Sequence, residues 1–123
     1  NICVVGDDSQ SIYSCRGANF KNIFNFEKDY SNANVILLEQ NYRSTQNIVM
    51  AANSLIKHNQ HQIPKNVFSN KESGNKLILK PAYSDKEESM IVCKDIKRIK
   101  RGEQMQWSDF AILYRTNSQS RSF

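Results

Sequence analysis

Two adjacent carboxylates, an amide, a tyrosine and an arginine lie close together near the start of the chain, in the stretch GDDSQSIYSCR at residues 6–16. The apolar run of residues 2–5 leads directly into it. In an open α/β sheet, ligand-binding groups collect just beyond the carboxyl ends of the strands, so this pattern predicts a ligand-binding loop at such an edge. The alternative is an ordinary strand-to-helix turn, in which Gly6 allows the bend and Asp7 or Asp8 caps the next element.

A second polar group follows a second apolar run. Residues 35–38 are continuously apolar, which is typical of a buried parallel strand. Directly after that run come Gln40, Asn41, Tyr42 and Arg43. These four side chains are therefore predicted to lie at the same kind of sheet edge as the first loop.

Two further groups of residues could bind ligands, but each has a simpler interpretation. His58 and His61 have a spacing that metal ligands on a helix can have, yet no third ligand is nearby, and we interpret them as a solvated helix end. A cluster of cations near the end of the helix predicted at 85–101 could bind nucleic acid. Because the helix dipole also favours cations there, we interpret the cluster as a dipole effect. Its members are Lys97, Arg98, Lys100 and Arg101.

The composition suits an anionic partner in a reducing compartment. Seventeen basic and twelve acidic residues give a formal net charge of +5. The three cysteines lack CxxC spacing, so they support neither a zinc site nor a disulfide framework, and we expect a cytoplasmic protein. No run approaches the roughly 18 apolar residues of a membrane span, so no membrane partner is expected. The chain begins within a predicted strand and without Met, and we expect it to be part of a longer protein.

The alternation of short apolar runs with amphipathic stretches predicts an α/β fold with mainly parallel sheets. Ser44 or Thr45 should cap the second helix and Ser84 or Asp85 the third, which Gly102 should end. The polar stretch 60–76 is expected to be a loop or linker, with Val67 and Phe68 as a brief strand. The expected strands cover residues 2–5, 35–38, 77–83 and 110–114, and the expected helices cover residues 19–30, 46–58, 85–101 and the stretch from 117 onward.

Three stretches, in this order, resemble motifs of the superfamily-one DNA helicases of the UvrD, PcrA and Rep type. VVGDDSQSIYSCRGA at residues 4–18 is similar to motif III, LEQNYRST at 38–45 to motif IV, and AILYRTNSQSR at 111–121 to motif IVa. The resemblance covers essentially the whole chain. It implies two RecA-like P-loop NTPase domains that bind ATP in the cleft between them and single-stranded DNA across their top. Residues 1–41 would be the C-terminal part of the first domain, and residues 42–123 the N-terminal part of the second.

The resemblance also implies roles for individual residues. Arg43 matches the arginine that reaches the γ-phosphate from the opposite domain, Tyr42 the residue that stacks on adenine, and Gln10 the amide that senses the γ-phosphate. A cation aimed at the γ-phosphate stabilises the charge that spreads over its oxygens in the transition state. Four residues match positions that contact the DNA strand, and these are Tyr13, Arg16, Arg115 and Asn117.

The sequence departs from the family at Cys15, where many relatives carry an aromatic residue that stacks on a base. Stacking is worth about 1–3 kcal/mol per base, so we expect a different grip on DNA, unless Cys15 packs in the core. No G-x-x-x-x-G-K-[ST] motif occurs, and the family's Mg²⁺ carboxylate lies upstream, so no metal ligand is predicted here. We expect Asp7 and Asp8 to order their loop instead, and the 123-residue chain alone to hydrolyse no ATP.

The sequence therefore predicts part of an ATP-dependent DNA helicase that moves 3′ to 5′ on single strands and unwinds duplexes in repair or replication. The expected cofactors are ATP and Mg²⁺, and the expected partners are single-stranded DNA, duplex junctions and repair or replication proteins. Two alternatives stay open. One is the helicase module of an AddA-like helicase-nuclease, which a downstream nuclease domain would reveal. The other is a basic α/β nucleic-acid-binding module without ATPase activity, which an upstream P-loop would exclude.

Overall fold

The computed structural model describes residues 2–10, 21–60 and 62–123. The chain divides into two compact units, Asn1–Leu77 and Ile78–Phe123. Regular structure in the described ranges is helical: α1 covers Lys21–Asp29, α2 covers Gln46–Ile56 and α3 covers Asp85–Gly102. Short 3₁₀ turns cover Asp8–Gln10, Trp107–Asp109 and Gln119–Ser122. Three predicted helices are thus confirmed, whereas the stretch from residue 117 forms only a 3₁₀ turn. None of these described helices combines the length and apolarity that a bilayer-spanning helix requires.

The apolar side of α1 faces the end of the first apolar run. Ile23, Phe24 and Phe26 are half-buried, and the ring of Phe26 lies 4.8 Å from that of Tyr30, centroid to centroid. A β-carbon on Gly6 would come within 2.9 Å of Cδ1 of Ile23. The glycine therefore permits the close approach of α1 to the loop that carries Asp7.

One face of α2 is covered, and Val49 is at its centre. Val49 is 5% exposed and is the single buried hydrophobic side chain among the described residues. Asn53 and Ile56, one and two turns further along, are half-buried. The side-chain amide of Asn53 donates a 2.6 Å hydrogen bond to the carbonyl of Val67. The sequence predicts an apolar face for this helix made of Ile48, Val49, Ala52, Leu55 and Ile56. That prediction is right for Val49 and Ile56, whereas Ile48, Ala52 and Leu55 are exposed.

Ser84 caps α3, as predicted. Its hydroxyl accepts a 3.2 Å hydrogen bond from the backbone N–H of Glu87, and the Glu87 carboxylate accepts a 2.8 Å bond from the N–H of Tyr83. Two N–H groups at the start of the helix are satisfied in this way. Three acidic residues in the first turn add a favourable interaction with the helix dipole, and these are Asp85, Glu87 and Glu88.

Gly102 is the last residue of α3, but the turn that follows depends on Gln104. Gln104 has φ of +52°, in the left-handed region. The N–H of Met105 donates to the carbonyl of Lys100 at 3.2 Å, which is the bond that forms when a left-handed residue ends a helix. A glutamine thus adopts a backbone conformation that glycine adopts at lower cost.

The parallel sheet that we predicted is not confirmed. In the described ranges none of the apolar runs pairs with another, and the β-pairing is limited to an isolated parallel bridge between Gln40 and Phe68. A strand needs a neighbour about 4.8 Å away to satisfy its N–H and C=O groups. Without that neighbour the side chains of the runs stay exposed, as at Ile36 (79%), Leu38 (78%) and Leu79 (94%). The runs have the composition of buried strands but lack the pairing that defines them.

His58 lies at the exposed end of α2. Its Nδ1 is 3.1 Å from the carbonyl oxygen of Ser54 and 3.2 Å from that of Leu55. No three His, Cys, Asp or Glu side chains of the described residues converge in a way that could hold a metal ion. The interpretation of His58 as part of a helix end is confirmed, and His61 lies outside the described residues.

Candidate functional site

Residues 62–75, hereafter the connecting segment, contact both of the polar groups that the sequence singles out. Near its start the segment binds Asp7 and Asp8, and at Phe68 it pairs with residues 39–41. Its last residues lie against the N-terminus of α2. The sequence indicated a polar loop or linker here with a brief strand at Val67 and Phe68, and of that strand the structure has the isolated bridge at Phe68. The segment instead fixes the positions of the residues that matter most to the predicted site.

Asp7 organises the first loop through both of its carboxylate oxygens. Oδ1 accepts a 3.1 Å hydrogen bond from the backbone N–H of Ser9, and Oδ2 accepts a 2.6 Å bond from the side-chain amide of Gln10. The N–H of Gln10 also donates to the carbonyl of Asp7 at 3.3 Å. The expectation that this carboxylate orders the loop is confirmed.

Lys65 joins the two carboxylates of the loop. Its Nζ lies 2.8 Å from Oδ1 of Asp7 and 2.8 Å from Oδ1 of Asp8. The other oxygen of Asp8 accepts a 2.7 Å hydrogen bond from the backbone N–H of Ile63. The Asp8 side chain is only 3% exposed, against 38% for Asp7. Asp8 is therefore the anchored member of the pair, and Asp7 is the member that faces solvent.

These contacts keep all three groups charged. Burial alone would raise the pKa of Asp7 and of Asp8, but hydrogen bonds and charge attraction from Lys65, with further bonds from Gln10 or Ile63, lower both below the ordinary 3.8. Burial likewise opposes the charge of Lys65, yet the two carboxylates raise its pKa above the ordinary 10.5. The cluster is thus an ion triad near neutral pH.

The second polar group begins with Asn41, which forms a turn around its own side chain. Its Oδ1 accepts hydrogen bonds from the backbone N–H groups of Arg43 at 3.0 Å and Ser44 at 2.8 Å. The backbone N–H of Asn41 donates to the carbonyl of Phe68 at 2.7 Å. The backbone N–H of Phe68 donates to the backbone carbonyl of Glu39 at 2.9 Å. The connecting segment thereby fixes the backbone on one side of Arg43.

Tyr42 and Arg43 project into solvent from this turn. Tyr42 is 75% exposed, and its hydroxyl donates to Oε1 of Gln40 at 3.0 Å. Arg43 is exposed, and no carboxylate of the described residues pairs with its guanidinium. Nζ of Lys71 donates to the Arg43 carbonyl at 2.9 Å. An aromatic ring and a cation therefore belong to two adjacent, exposed residues on a hydrogen-bonded backbone, and such groups are suited to contact a base and a phosphate.

The predicted side-chain caps of α2 are wrong. Thr45 occupies the N-cap position, but its side chain makes no capping hydrogen bond. The first two N–H groups of the helix, from Gln46 and Asn47, donate instead to the backbone carbonyls of Glu72 at 3.2 Å and Ser73 at 3.0 Å. Because distant carbonyls already satisfy these donors, the threonine hydroxyl has no capping task to perform.

The carbonyl of Ser44 also has a partner in the connecting segment. The hydroxyl of Ser69, a residue that is 9% exposed, donates to it at 2.7 Å. The same Ser69 oxygen accepts a 3.2 Å bond from the N–H of Lys71. Ser69 thus links the segment to the residue that follows Arg43.

Arg115 and Asn117 lie in the second unit, on an exposed turn. Oε1 of Gln119 accepts hydrogen bonds from the backbone N–H groups of Arg115 at 3.0 Å and Thr116 at 2.9 Å. The carbonyl of Asn117 accepts from the hydroxyl of Ser120 at 2.7 Å. Both predicted DNA-contacting side chains are exposed on a turn with a defined backbone. Tyr13, Arg16 and Cys15 lie outside the described residues.

The cations near the end of α3 have several local interactions. Nζ of Lys100 lies 5.0 Å from the ring centroid of Trp107, within the range of a cation–π contact. Arg98 lies 3.5 Å from Oδ1 of Asp95. Trp107 is 62% exposed, so this contact with Lys100 lies at the surface and not in a core. These contacts are local to α3 and the turn after it, and Lys100 and Arg101 lie in the last turn of the helix, where its dipole favours cations.

The sequence could not reveal Lys65, Ser69 and Lys71 as members of this site. They lie in a polar stretch without periodicity, and their partners are 25 to 58 residues away along the chain. No local signal marks them.

Comparison with known proteins gives two adjacent family matches. Residues 36–123 match the UvrD-like helicase C-terminal domain, and residues 1–31 match the UvrD/REP helicase N-terminal domain. The two matches lie on either side of residues 32–35.

Individual relatives agree with these matches. An ATP-dependent DNA helicase PcrA of Leuconostoc citreum is 48% identical over 122 residues, or 99% of this chain. The proteins of the same name from Staphylococcus epidermidis strain ATCC 35984 and Staphylococcus aureus strain Mu50 are 49% and 48% identical over 121 residues, or 98% of this chain. The chain spans 16% of the length of each of these relatives.

Proposed function

Because the chain belongs to the UvrD-like helicase family, whose domains have RecA-like P-loop folds, we propose that it is part of an ATP-dependent DNA helicase. On this proposal the complete helicase couples ATP hydrolysis to 3′-to-5′ movement on single-stranded DNA and unwinds duplexes in repair or replication. The observation that carries the proposal is the exposed Tyr42–Arg43 pair, which the connecting segment holds at the start of α2.

The proposed domain boundary lies between residues 41 and 42. The two family matches end and begin close to it, at residues 31 and 36. On this proposal the exposed apolar runs are strands of parallel sheets, paired with strands supplied by the rest of a longer protein. Their nearly continuous apolar composition is what a strand covered on both faces requires. Exposure such as 79% at Ile36 would then be removed by that pairing.

Arg43 is the proposed catalytic cation. Hydrolysis places charge on the γ-phosphate oxygens in the transition state, and a guanidinium aimed at them stabilises that charge. Arg43 has the required freedom, because its backbone is fixed by Asn41 and Lys71 while its side chain is exposed. Tyr42 is proposed to stack on the adenine, and Gln10 to sense the γ-phosphate from the other domain.

Mg²⁺ is proposed to accompany ATP, but Asp7 and Asp8 do not fit the role of its ligands. Each of the four carboxylate oxygens already accepts a hydrogen bond from within the protein, and two of them face Lys65. A lysine ammonium at 2.8 Å occupies the place that a cation would need. The ligands of Mg²⁺ are therefore proposed to lie outside these 123 residues, and the chain alone is proposed to hydrolyse no ATP.

Single-stranded DNA and duplex junctions are the proposed macromolecular ligands. Single-strand grooves combine aromatic faces for the bases with cations for the phosphates. The residues proposed to contact the strand are Tyr13, Arg16, Arg115 and Asn117. We also propose a cytoplasmic location, which is supported by the free thiols of Cys3 and Cys93.

A strand-displacement assay on the complete protein tests this function. The substrates are duplexes with a single-stranded tail at either the 3′ or the 5′ end, with ATP or a non-hydrolysable analogue. We expect unwinding of the 3′-tailed duplex with ATP alone, together with ATP turnover stimulated by single-stranded DNA. DNA binding without turnover would favour the non-catalytic binding module. DNA cleavage in the same assay would favour the helicase-nuclease.

A further inference from the structure

Lys65 is connected to Gln10 through a single carboxylate. Oδ1 of Asp7 binds Nζ of Lys65 at 2.8 Å, and Oδ2 of the same side chain binds Nε2 of Gln10 at 2.6 Å. Lys65 lies after α2, on the far side of the domain boundary proposed at residue 41. The contact therefore joins the γ-phosphate sensor of one proposed domain to a cation of the other.

The chemistry of the contact fixes which way the amide of Gln10 points. An ionised carboxylate can only accept hydrogen bonds, so the group that faces Asp7 must be the NH₂ of Gln10. The carbonyl oxygen of the amide then points away from Asp7. Lys65 strengthens this arrangement, because its charge keeps Asp7 ionised and holds the carboxylate in place.

Asp8 shows that the lysine is itself held firmly. The backbone N–H of Ile63 donates to Oδ2 of Asp8 at 2.7 Å, and Oδ1 of Asp8 accepts a hydrogen bond from Nζ of Lys65. The Lys65 side chain is 20% exposed. Three contacts from two residues of the connecting segment, Ile63 and Lys65, thus converge on one loop, and a loose surface ion pair would not show this convergence.

We propose that Lys65 is a positioning residue for ATP hydrolysis, which orients the Gln10 amide through Asp7 only when the connecting segment lies against the first loop. This inference rests on the proposed function. It makes the orientation of the γ-phosphate sensor depend on contact between the two proposed domains, through a route separate from Arg43. Loss of Lys65 leaves every group that touches the nucleotide in place but frees the amide to rotate.

Steady-state ATP hydrolysis by the complete protein, with saturating single-stranded DNA, tests the proposal. Lys65→Met keeps the length of the side chain without its charge, and Lys65→Arg keeps the charge. Lys80→Met is the matched control, because Lys80 also forms an ion pair with a carboxylate, that of Asp95. We expect Lys65→Met to lower kcat about tenfold, with KM for ATP changed less than about twofold, since a charge-assisted contact is lost away from the nucleotide. Lys65→Arg should restore most of the activity, and Lys80→Met should match the wild type.

A double variant decides whether Lys65 acts through Gln10. In a Gln10→Ala background, Lys65→Met should cause no further loss of kcat, because the amide that it orients is absent. Independent, multiplicative losses would overturn the proposal, and so would a Lys65→Met protein as active as the Lys80→Met control. A Lys65→Met protein that is already unfolded at the assay temperature would show that Lys65 holds the fold, which also contradicts it. Absence of DNA-stimulated turnover in the wild type would instead overturn the proposed function.

Discussion

Gly74 lies so close to the side chain of Thr45 that a β-carbon at position 74 would come within 2.5 Å of Cβ of the threonine and would also clash with its Oγ1. The backbone of Gly74 is also left-handed, with φ of +70°. Two independent constraints therefore act on this one residue. The close approach lets the connecting segment bring its carbonyls to the first N–H groups of α2.

The first prediction is that Gly74→Ala destabilises the protein. The substitution places a methyl group against Thr45 and forces a non-glycine residue to keep a positive φ, and we expect a loss of about 1–3 kcal/mol. Gly102→Ala is the matched control, because nothing lies within 4 Å of the added carbon and the residue is helical. It should be neutral or slightly stabilising. Thermal melts of the complete protein measure both, and equal melting temperatures would contradict the prediction.

The second prediction concerns the end of α3. Gln104→Gly should stabilise the protein by about 1 kcal/mol, because glycine adopts the left-handed conformation of position 104 without a β-carbon penalty. Gln104→Ala should give no such gain, since alanine keeps the β-carbon. Urea unfolding of the complete protein, followed by helical circular dichroism, compares the two variants. The prediction fails if alanine stabilises as much as glycine.

The third prediction concerns Arg43. Arg43→Ala in the complete protein should lower ATP turnover by a factor on the order of 10³, while nucleotide affinity changes much less, because the guanidinium acts mainly on the transition state. Arg43→Lys should recover little, since an ammonium cannot reproduce the planar, forked contact. Single-turnover hydrolysis and equilibrium binding of a fluorescent ATP analogue separate the two effects. Near-normal turnover in the alanine variant would remove Arg43 from the catalytic role.

The fourth prediction is a pH dependence of stability from the ion triad. The pKa values of Asp7 and Asp8 are lowered below 3.8, so their contribution is present above about pH 4 and is lost as the pH falls through the folded values. The pKa of Lys65 is raised above 10.5, so its contribution is present below that pH and is lost as the pH rises through the folded value.

This dependence can be measured by difference. The melting temperature of the wild type minus that of Asp8→Asn should stay constant from about pH 5 to 9 and shrink below about pH 4. Asp29→Asn, at an exposed position of α1, is the control and should give a small difference at every pH. A wild-type advantage that persists unchanged to pH 2 would rule out the ionised triad as its source.

The fifth prediction concerns Cys15 and comes from the sequence alone. If this residue faces DNA, Cys15→Trp in the complete protein should tighten single-strand binding by up to about 1–3 kcal/mol through added stacking. If it packs in the core, the larger ring should cost about 1–3 kcal/mol of stability without any gain in affinity. Fluorescence anisotropy with a labelled oligonucleotide, together with a thermal melt, distinguishes the two. Unchanged affinity with a lower melting temperature would refute the DNA-facing assignment.

The helices were predictable because their determinants are local. The cap at Ser84, the acidic first turn of α3 and the spacing of apolar residues all lie within a few residues of one another, and α3 begins where they indicate. The left-handed Gln104 was not predictable, because the sequence offers Gly102 as the more obvious end. The strands depend on partners distant in sequence, so residues 35–38 could be identified by composition but not by pairing.

The residues of the candidate site also differ in whether the sequence could identify them. Gln10, Tyr42 and Arg43 stand out because they follow apolar runs and resemble known motifs. Lys65 does not stand out, since a lysine in a polar stretch is ordinary and its carboxylate partners are 57 and 58 residues away. Only the folded chain reveals that this lysine belongs with the first loop.

The start of α2 is capped by the main chain of Glu72 and Ser73 rather than by any side chain. Carbonyl oxygens are common to all residues, so substitutions at positions 72 and 73 leave the caps unchanged. An insertion or deletion between Phe68 and Gly74 does not, because it shifts which carbonyl meets which N–H group. Positions 72 and 73 can thus change their side chains without loss of the caps, whereas the length of the stretch is fixed.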